Sequence, residues 1–238
     1  MGKTINSEKL IENSKKKQGR CYNCDETDLN VLEFAHIDRE NKAKTKTGAS
    51  YTRSLCSMPL HVIREELQKG RFLCVSCHRT ETRKEDALRR ESTLKALDER
   101  GSCCVSLDDD SEYFLCTGSK CVSRIRQKMF RFKNQKYCKL CEYSSKVDRY
   151  TKKQEYINNR KIEIGKCEFC NLKVTRETTH LFDFDHVANK NCNVSQLIWR
   201  CTDVIENEIQ LCRLLCAKCH RVKTTAEMRA RGLSLLQT

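Results

Sequence analysis

Two short apolar runs stand out in a polar chain: Leu32-Glu33-Phe34-Ala35-His36-Ile37 and Phe182-Asp183-Phe184-Asp185-His186-Val187. They predict strands over Leu32 to Ile37 and Leu181 to Val187. Val62 to Gln68 and Val204 to Leu211 read as helices, and further helices are expected to start at Cys74 and Cys216. Thr80 to Arg100 is a charged, helix-favouring run with leucines at Leu88, Leu94 and Leu97. Lys152 to Lys166 is another polar helical stretch. Gly101 to Glu112, with Asp108-Asp109-Asp110, is a polar break and a plausible boundary. One proline, Pro59, and eight glycines argue against long disordered linkers.

The pattern occurs twice. A shift of 150 positions lays the first apolar run on the second, and a shift of 142 lays Val62–Thr82 on Val204–Thr224 with 11 identities in 21 positions. Chance would give about one or two, so the chain contains an internal duplication. Each copy reads as a CxxC knuckle, an apolar strand ending in histidine, a variable loop and helix, and a closing CxxCH. The organisation expected is a first module over 1–100, a basic linking module over 101–150, and a second module over 151–238.

The chain has 18 cysteines, ten of them in five CxxC pairs. Met1 to Arg20 is lysine-rich with no apolar core, so no secretory signal is read there. An intracellular, reducing compartment is therefore expected, where paired cysteines bind metal more often than they form disulfides. The alternative, a disulfide scaffold, fits a smaller and less charged secreted chain. Two CxxC pairs per copy make a closed Cys-four set, which suits structural zinc. The expected sets are Cys21, Cys24, Cys74 and Cys77, then Cys167, Cys170, Cys216 and Cys219. A third set, Cys116, Cys121, Cys138 and Cys141, has a looser opening spacing. Two or three zinc ions per chain follow. Cys56, Cys103, Cys104, Cys192, Cys201 and Cys212 are left over, some of them as plain buried thiols.

Charge adds a partner. The net charge is +14, and Thr117–Arg176 alone holds 17 Lys/Arg against five Asp/Glu. Such a concentrated positive field favours a polyanion, through release of condensed counterions. Arg124, Arg126, Lys128, Arg131 and Lys133 are the candidate phosphate contacts. Tyr137, Tyr143, Tyr150 and Tyr156, after Phe130 and Phe132, offer base stacking or, more blandly, core packing behind a solvated face. Nothing approaches the roughly 18 consecutive apolar residues of a membrane span, so no membrane partner is expected.

The cysteines leave Asp185, His186 and His220 unexplained. A carboxylate and an imidazole can hold a divalent ion, and a further imidazole can act as general base. The alternative for each histidine is a satisfied core residue. Phe182-Asp183-Phe184-Asp185-His186-Val187, followed by Leu214-Leu215-Cys216-Ala217-Lys218-Cys219-His220-Arg221-Val222-Lys223-Thr224, resembles the HNH endonucleases of phages and large DNA viruses. The resemblance is strong over Gly165 to Thr225 and looser over Arg20 to Glu85. It implies an α+β fold of small zinc-stabilised ββα-metal, treble-clef-like modules joined by helices. It implies that His186 deprotonates water and that Asp185 and His220 hold a catalytic divalent ion, Mg, Mn or Zn. Arg221 and Lys223 would lie near a helix start, where phosphate is favoured.

Two departures bear on activity. The family's middle Asn falls on Leu211, with Asn207 and Glu208 near but out of register. In the first copy Ala35 replaces Asp185, although His36 and His78 remain, so a ligand is missing unless Asp38 substitutes. The first copy therefore reads as a structural or DNA-positioning module. The function expected is a metal-dependent DNA endonuclease acting through the second copy. The alternative is a non-catalytic zinc protein, a transcription or packaging factor descended from such a nuclease. Oligomeric state, target site and the choice of DNA over RNA are not encoded legibly.

Overall fold

The computed structural model describes residues 2–38, 41, 55, 58–101, 113–116, 124–126, 137–187 and 192–232. It is a mixed α+β fold with three small two-stranded sheets among the described residues. The helices are α1 (Gly2–Gln18), α2 (Leu60–Gln68), α3 (Val75–Gly101), α4 (Lys139–Ile164), α5 (Thr202–Ile209) and α6 (Ala217–Ala230). The strands are β1 (Leu32–His36), β2 (Gly70–Cys74), β3 (Tyr113–Leu115), β4 (Arg124–Arg126), β5 (Phe182–His186) and β6 (Cys212–Cys216). They pair β1–β2, β3–β4 and β5–β6.

The duplication is visible in the order of elements. Each copy runs from a cysteine knuckle through a 3-10 turn into a strand, then a helix, a second strand and a closing helix. The strands expected over Leu32 to Ile37 and Leu181 to Val187 are β1 and β5, and the helices expected after them are α2 and α5. The closing strands β2 and β6 had no signal in the sequence, because Phe72, Leu73 and Cys74, like Leu214, Leu215 and Cys216, are buried consecutively rather than alternately. A strand covered on both faces loses the period of two that identifies it. The run Thr80 to Arg100 lies within α3, and Lys152 to Ile164 within α4. Most of the expected boundary at Gly101 to Glu112 lies outside the described residues.

Backbone contacts divide the chain into two compact units. The first comprises Met1–Glu81, Gly165–Asp185 and Leu214–Thr238. Its core gathers Ile11 of α1, Leu32 and Ala35 of β1, Ile63 of α2 and Leu73 of β2. Ala217, from the second copy, belongs to the same core. In the antiparallel β1–β2 pair Phe34 faces Phe72 and His36 faces Gly70. The two rings meet edge-on with centroids 5.7 Å apart. A side chain at residue 70 would strike the Phe34 ring and the Ala35 carbonyl, so glycine is required by this close approach. Helix α1 seals the sheet edge: the Gln18 amide donates to the Phe72 carbonyl at 2.7 Å, and its oxygen accepts from the Phe72 N–H at 2.8 Å. Lys15 Nζ donates to the Leu32 carbonyl at 2.8 Å. The Phe72 carbonyl also accepts from the Tyr22 N–H at 3.0 Å, so it is the Phe72 N–H that depends on Gln18.

The second unit comprises Thr82–Ile164 and His186–Arg213. Leu140 and Ile157 of α4, Leu197 and Ile198 of the 3-10 turn Val194–Trp199, and Ile205 and Ile209 of α5 are among its buried apolar residues. Tyr156 donates its hydroxyl to Glu206 at 2.8 Å, and Arg160 grips the same carboxylate, so α4 and α5 are also joined by charge. Tyr150 packs against Trp199 with centroids 6.0 Å apart, and the Arg90 guanidinium lies 5.6 Å from the Tyr150 ring. Among the described residues no helix is long and apolar enough to cross a membrane.

Candidate functional site

The cysteines come together as their spacing requires. Cys21, Cys24, Cys74 and Cys77 form one group, and Cys167, Cys170, Cys216 and Cys219 another, with all ligand atoms of a group within 4.8 Å of one another. The Sγ separations Cys24–Cys74, Cys77–Cys24 and Cys170–Cys216 are 3.7, 3.6 and 3.7 Å. A tetrahedral zinc with ~2.3 Å Zn–S bonds needs sulfurs about 3.8 Å apart, so both groups fit that ion. Backbone amides point at the sulfurs: Cys74 N–H to Cys21 at 3.1 Å and Cys216 N–H to Cys167 at 3.2 Å. Burial pushes the Cys21 and Cys167 thiols up, but these and neighbouring amide bonds outweigh it and bring each to about 7. At Cys74, Cys77, Cys216 and Cys219 the balance goes the other way, and burial with the neighbouring sulfurs raises the thiols. Local turns build each knuckle. The Cys167 N–H donates to the Leu172 carbonyl at 2.9 Å, and Asn171 adopts a left-handed φ of 58°, a conformation asparagine tolerates.

A third group holds Cys116, Cys138 and Cys141, all buried, with the Cys138 N–H directed at Cys116 Sγ at 3.2 Å. Cys121, expected as its fourth member, lies outside the described residues. All fourteen described cysteines are free thiols, so the disulfide scaffold has no support among them.

In the first unit, Asp185 near the end of β5 is only 7% exposed. Its carboxylate lies 3.5 Å from His220 Nε2, and His220 Nδ1 lies 2.9 Å from Asp183. The histidine at the start of α6 is thus held at one nitrogen and presents the other to Asp185. That is the carboxylate–histidine arrangement that orients a metal-binding imidazole. Donors 3.5 Å apart lie near the ~3.0 Å spacing of two ligands about 2.1 Å from an octahedral ion. Lys223 Nζ also reaches Asp185, at 3.0 Å, and Glu227 at 3.0 Å. Burial lowers the Lys223 ammonium, but these two carboxylates win and raise it.

In the second unit, His186 Nε2 lies 2.6 Å from Glu208 Oε1. Glu208 is 6% exposed and also accepts from the Cys192 N–H at 3.3 Å. An ionised carboxylate only accepts, so the proton of this pair lies on Nε2, and Nδ1 is the ring nitrogen that Glu208 does not engage. In the sequence Glu208 is out of register with the middle Asn of the HNH pattern. Its signal was present all the same: it is one of the identities between the copies, matching Glu66.

The first copy repeats these pairs. His36 Nε2 lies 2.7 Å from Glu66, which is 1% exposed, and His78 Nδ1 lies 2.9 Å from Glu33. Ala35 is buried where Asp185 would be, and Asp38 is exposed beyond the strand end. Glu81 takes the position of Lys223 and pairs with Arg71 at 2.8 Å and Asn23 at 2.6 Å.

Of the candidate phosphate contacts, Arg221 is paired with Glu33 and Lys223 with Asp185 and Glu227. Arg124 and Arg126 are the end residues of β4, in register with Leu115 and Tyr113. Lys128, Arg131 and Lys133 lie outside the described residues, as do Phe130 and Phe132. Among the other tyrosines, Tyr137 is exposed.

No family model, no curated protein and no solved structure matches this chain.

Proposed function

We propose that the chain is a metal-dependent, HNH-type DNA endonuclease in which the second copy carries the chemistry. On this reading the three cysteine groups hold structural zinc and the duplicated elements are treble-clef-like ββα-metal modules. The observation that carries the reading is the Asp183–His220–Asp185 series. A buried carboxylate faces one nitrogen of a histidine whose other nitrogen is held by a second carboxylate. Asp185 and His220 would hold a Mg, Mn or Zn ion, which supplies positive charge to the scissile phosphate. His186 follows Asp185 directly along β5. Its Nδ1 lone pair takes the proton from the attacking water, and Glu208 stabilises the resulting imidazolium. The basic stretch Thr117–Arg176 supplies the non-specific hold on the duplex.

One observation favours a second reading. The Lys223 ammonium already balances the Asp185 charge, as a protein with no further need of a cation would arrange it. A non-catalytic zinc protein that binds nucleic acid, derived from a nuclease, fits that contact. Incubation of supercoiled plasmid with zinc-loaded protein and Mg or Mn decides between them. Nicking abolished by His186→Ala at unchanged zinc content supports the endonuclease. DNA binding without cleavage at any divalent ion supports the second reading.

A further inference from the structure

The two copies meet in the first unit through reciprocal charge pairs. Arg79 of the first copy grips Asp183 of the second with two parallel bonds, Nη1 to Oδ1 at 2.9 Å and Nη2 to Oδ2 at 2.6 Å. Arg221 of the second copy pairs with Glu33 of the first. Arg79 and Arg221 occupy the same place in the repeat, directly after the closing CxxCH, and Asp183 and Glu33 occupy the same place in the strand. Contacts of i with j′ and of i′ with j are the mark of a two-fold interface, here built within one chain.

Each gripped carboxylate has a second client. Asp183 accepts from His220 Nδ1 at 2.9 Å, and Glu33 faces His78 Nδ1 at 2.9 Å. Each histidine is therefore held by a carboxylate of its own copy, and that carboxylate by an arginine of the other copy. We propose that Arg79 is a positioning residue acting in trans: it fixes the Asp183 carboxylate, and through it the direction in which His220 presents Nε2 to Asp185. The metal-site consequence rests on the endonuclease reading, whereas the orientation of His220 does not. A carboxylate bound by one imidazole alone is free to rotate about its Cβ–Cγ bond. Two parallel guanidinium bonds fix its plane, a geometry that lysine cannot reproduce. The retained first copy thus has a task that needs no Asp at residue 35.

The test uses full-length, zinc-loaded protein labelled with nitrogen-15 in histidine, read by the His220 ring-nitrogen signals and by manganese affinity from paramagnetic resonance. Arg79→Ala should shift the His220 signals and weaken manganese binding about 10-fold, the lower end of the usual effect of an orienting partner. Arg79→Lys should fall between the two, and it serves where Arg79→Ala loses zinc. Asp183→Asn should act as Arg79→Ala does, and the double variant should add little, because both act through one contact. Glu33→Gln breaks the mirror-image pair and should move His78 but leave His220 unchanged. Unchanged His220 signals in Arg79→Ala would overturn the proposal. So would a Glu33→Gln variant that disturbs His220 as much, which would make the pairs a structural staple only. A wild type that neither binds manganese nor cuts DNA would remove the endonuclease reading. The His220 signals would still decide the role of Arg79.

Discussion

The two copies share a scaffold and differ at one buried carboxylate. Both gather four cysteines, both seat a strand-end histidine on a buried glutamate, and both hold the histidine after the closing CxxC on a strand carboxylate. They part at residues 35 and 185, where one has a buried alanine and the other a buried aspartate. The change is matched on the closing helix, where the first copy has Glu81 and the second Lys223. A buried carboxylate needs a cation nearby, and a lysine left without that carboxylate would be a poorly paired charge. The first copy has neither, and its Glu81 pairs with Arg71 instead. The cysteine group and the histidine–carboxylate pairs are thus kept in a copy that lacks the buried aspartate. Cysteines and histidines are common to both copies, and the buried carboxylate is what sets the second apart.

Zinc removal should give the largest effect and should not distinguish the copies. Structural zinc is worth roughly 10–16 kcal/mol of apparent folding free energy in small finger peptides. Cys21→Ser and Cys167→Ser should each lose one zinc by elemental analysis and lower the melting temperature steeply. A folded, zinc-free protein would contradict the account of both cysteine groups.

The glutamates should separate the copies. Glu208→Gln should slow single-turnover nicking about 100-fold, the low end of what general-base chemistry contributes. Glu66→Gln should leave nicking within about threefold while costing comparable stability, roughly 1–3 kcal/mol for a disturbed buried hydrogen bond. Equal losses of cleavage in the two variants would make both copies catalytic. A smaller effect is expected at Lys223. Lys223→Met should tighten manganese binding several-fold, because Asp185 no longer shares its charge with an ammonium. Weaker binding would show that Asp185 is not a ligand. The smallest and least copy-specific effect belongs to the basic stretch. Each neutralised residue among Arg124, Arg126, Lys128, Arg131 and Lys133 should reduce the salt dependence of DNA binding by about one unit of log–log slope, with no change in zinc content.

What was legible in the sequence was local or repeated. The CxxC spacing announced the cysteine groups, and the duplicated apolar runs announced β1 and β5. Two kinds of feature were not legible. Helix α1 has too few apolar residues to show a stripe: among its described residues only Leu10 and Ile11 reach the core, and Lys15 and Gln18 add bonds to backbone that no pattern announces. Contacts between distant residues were the other kind: Arg79 and Asp183 are 104 positions apart, and nothing in either neighbourhood marks them as partners. Glu208 lies between these cases. Its identity with Glu66 across the repeat is readable, whereas the HNH resemblance points to Leu211.

The central claim, that the second copy cuts and the first positions, is tested most directly by single-turnover nicking of supercoiled plasmid by His186→Ala and His36→Ala at matched zinc content. His186→Ala should lose about 100- to 10,000-fold in rate with DNA binding retained, because a general base is removed from the reacting water. His36→Ala should cut within about threefold of wild type, because Ala35 leaves that copy without the carboxylate its histidine would serve. Equal loss of cleavage in both variants, or full activity of His186→Ala, would contradict the assignment.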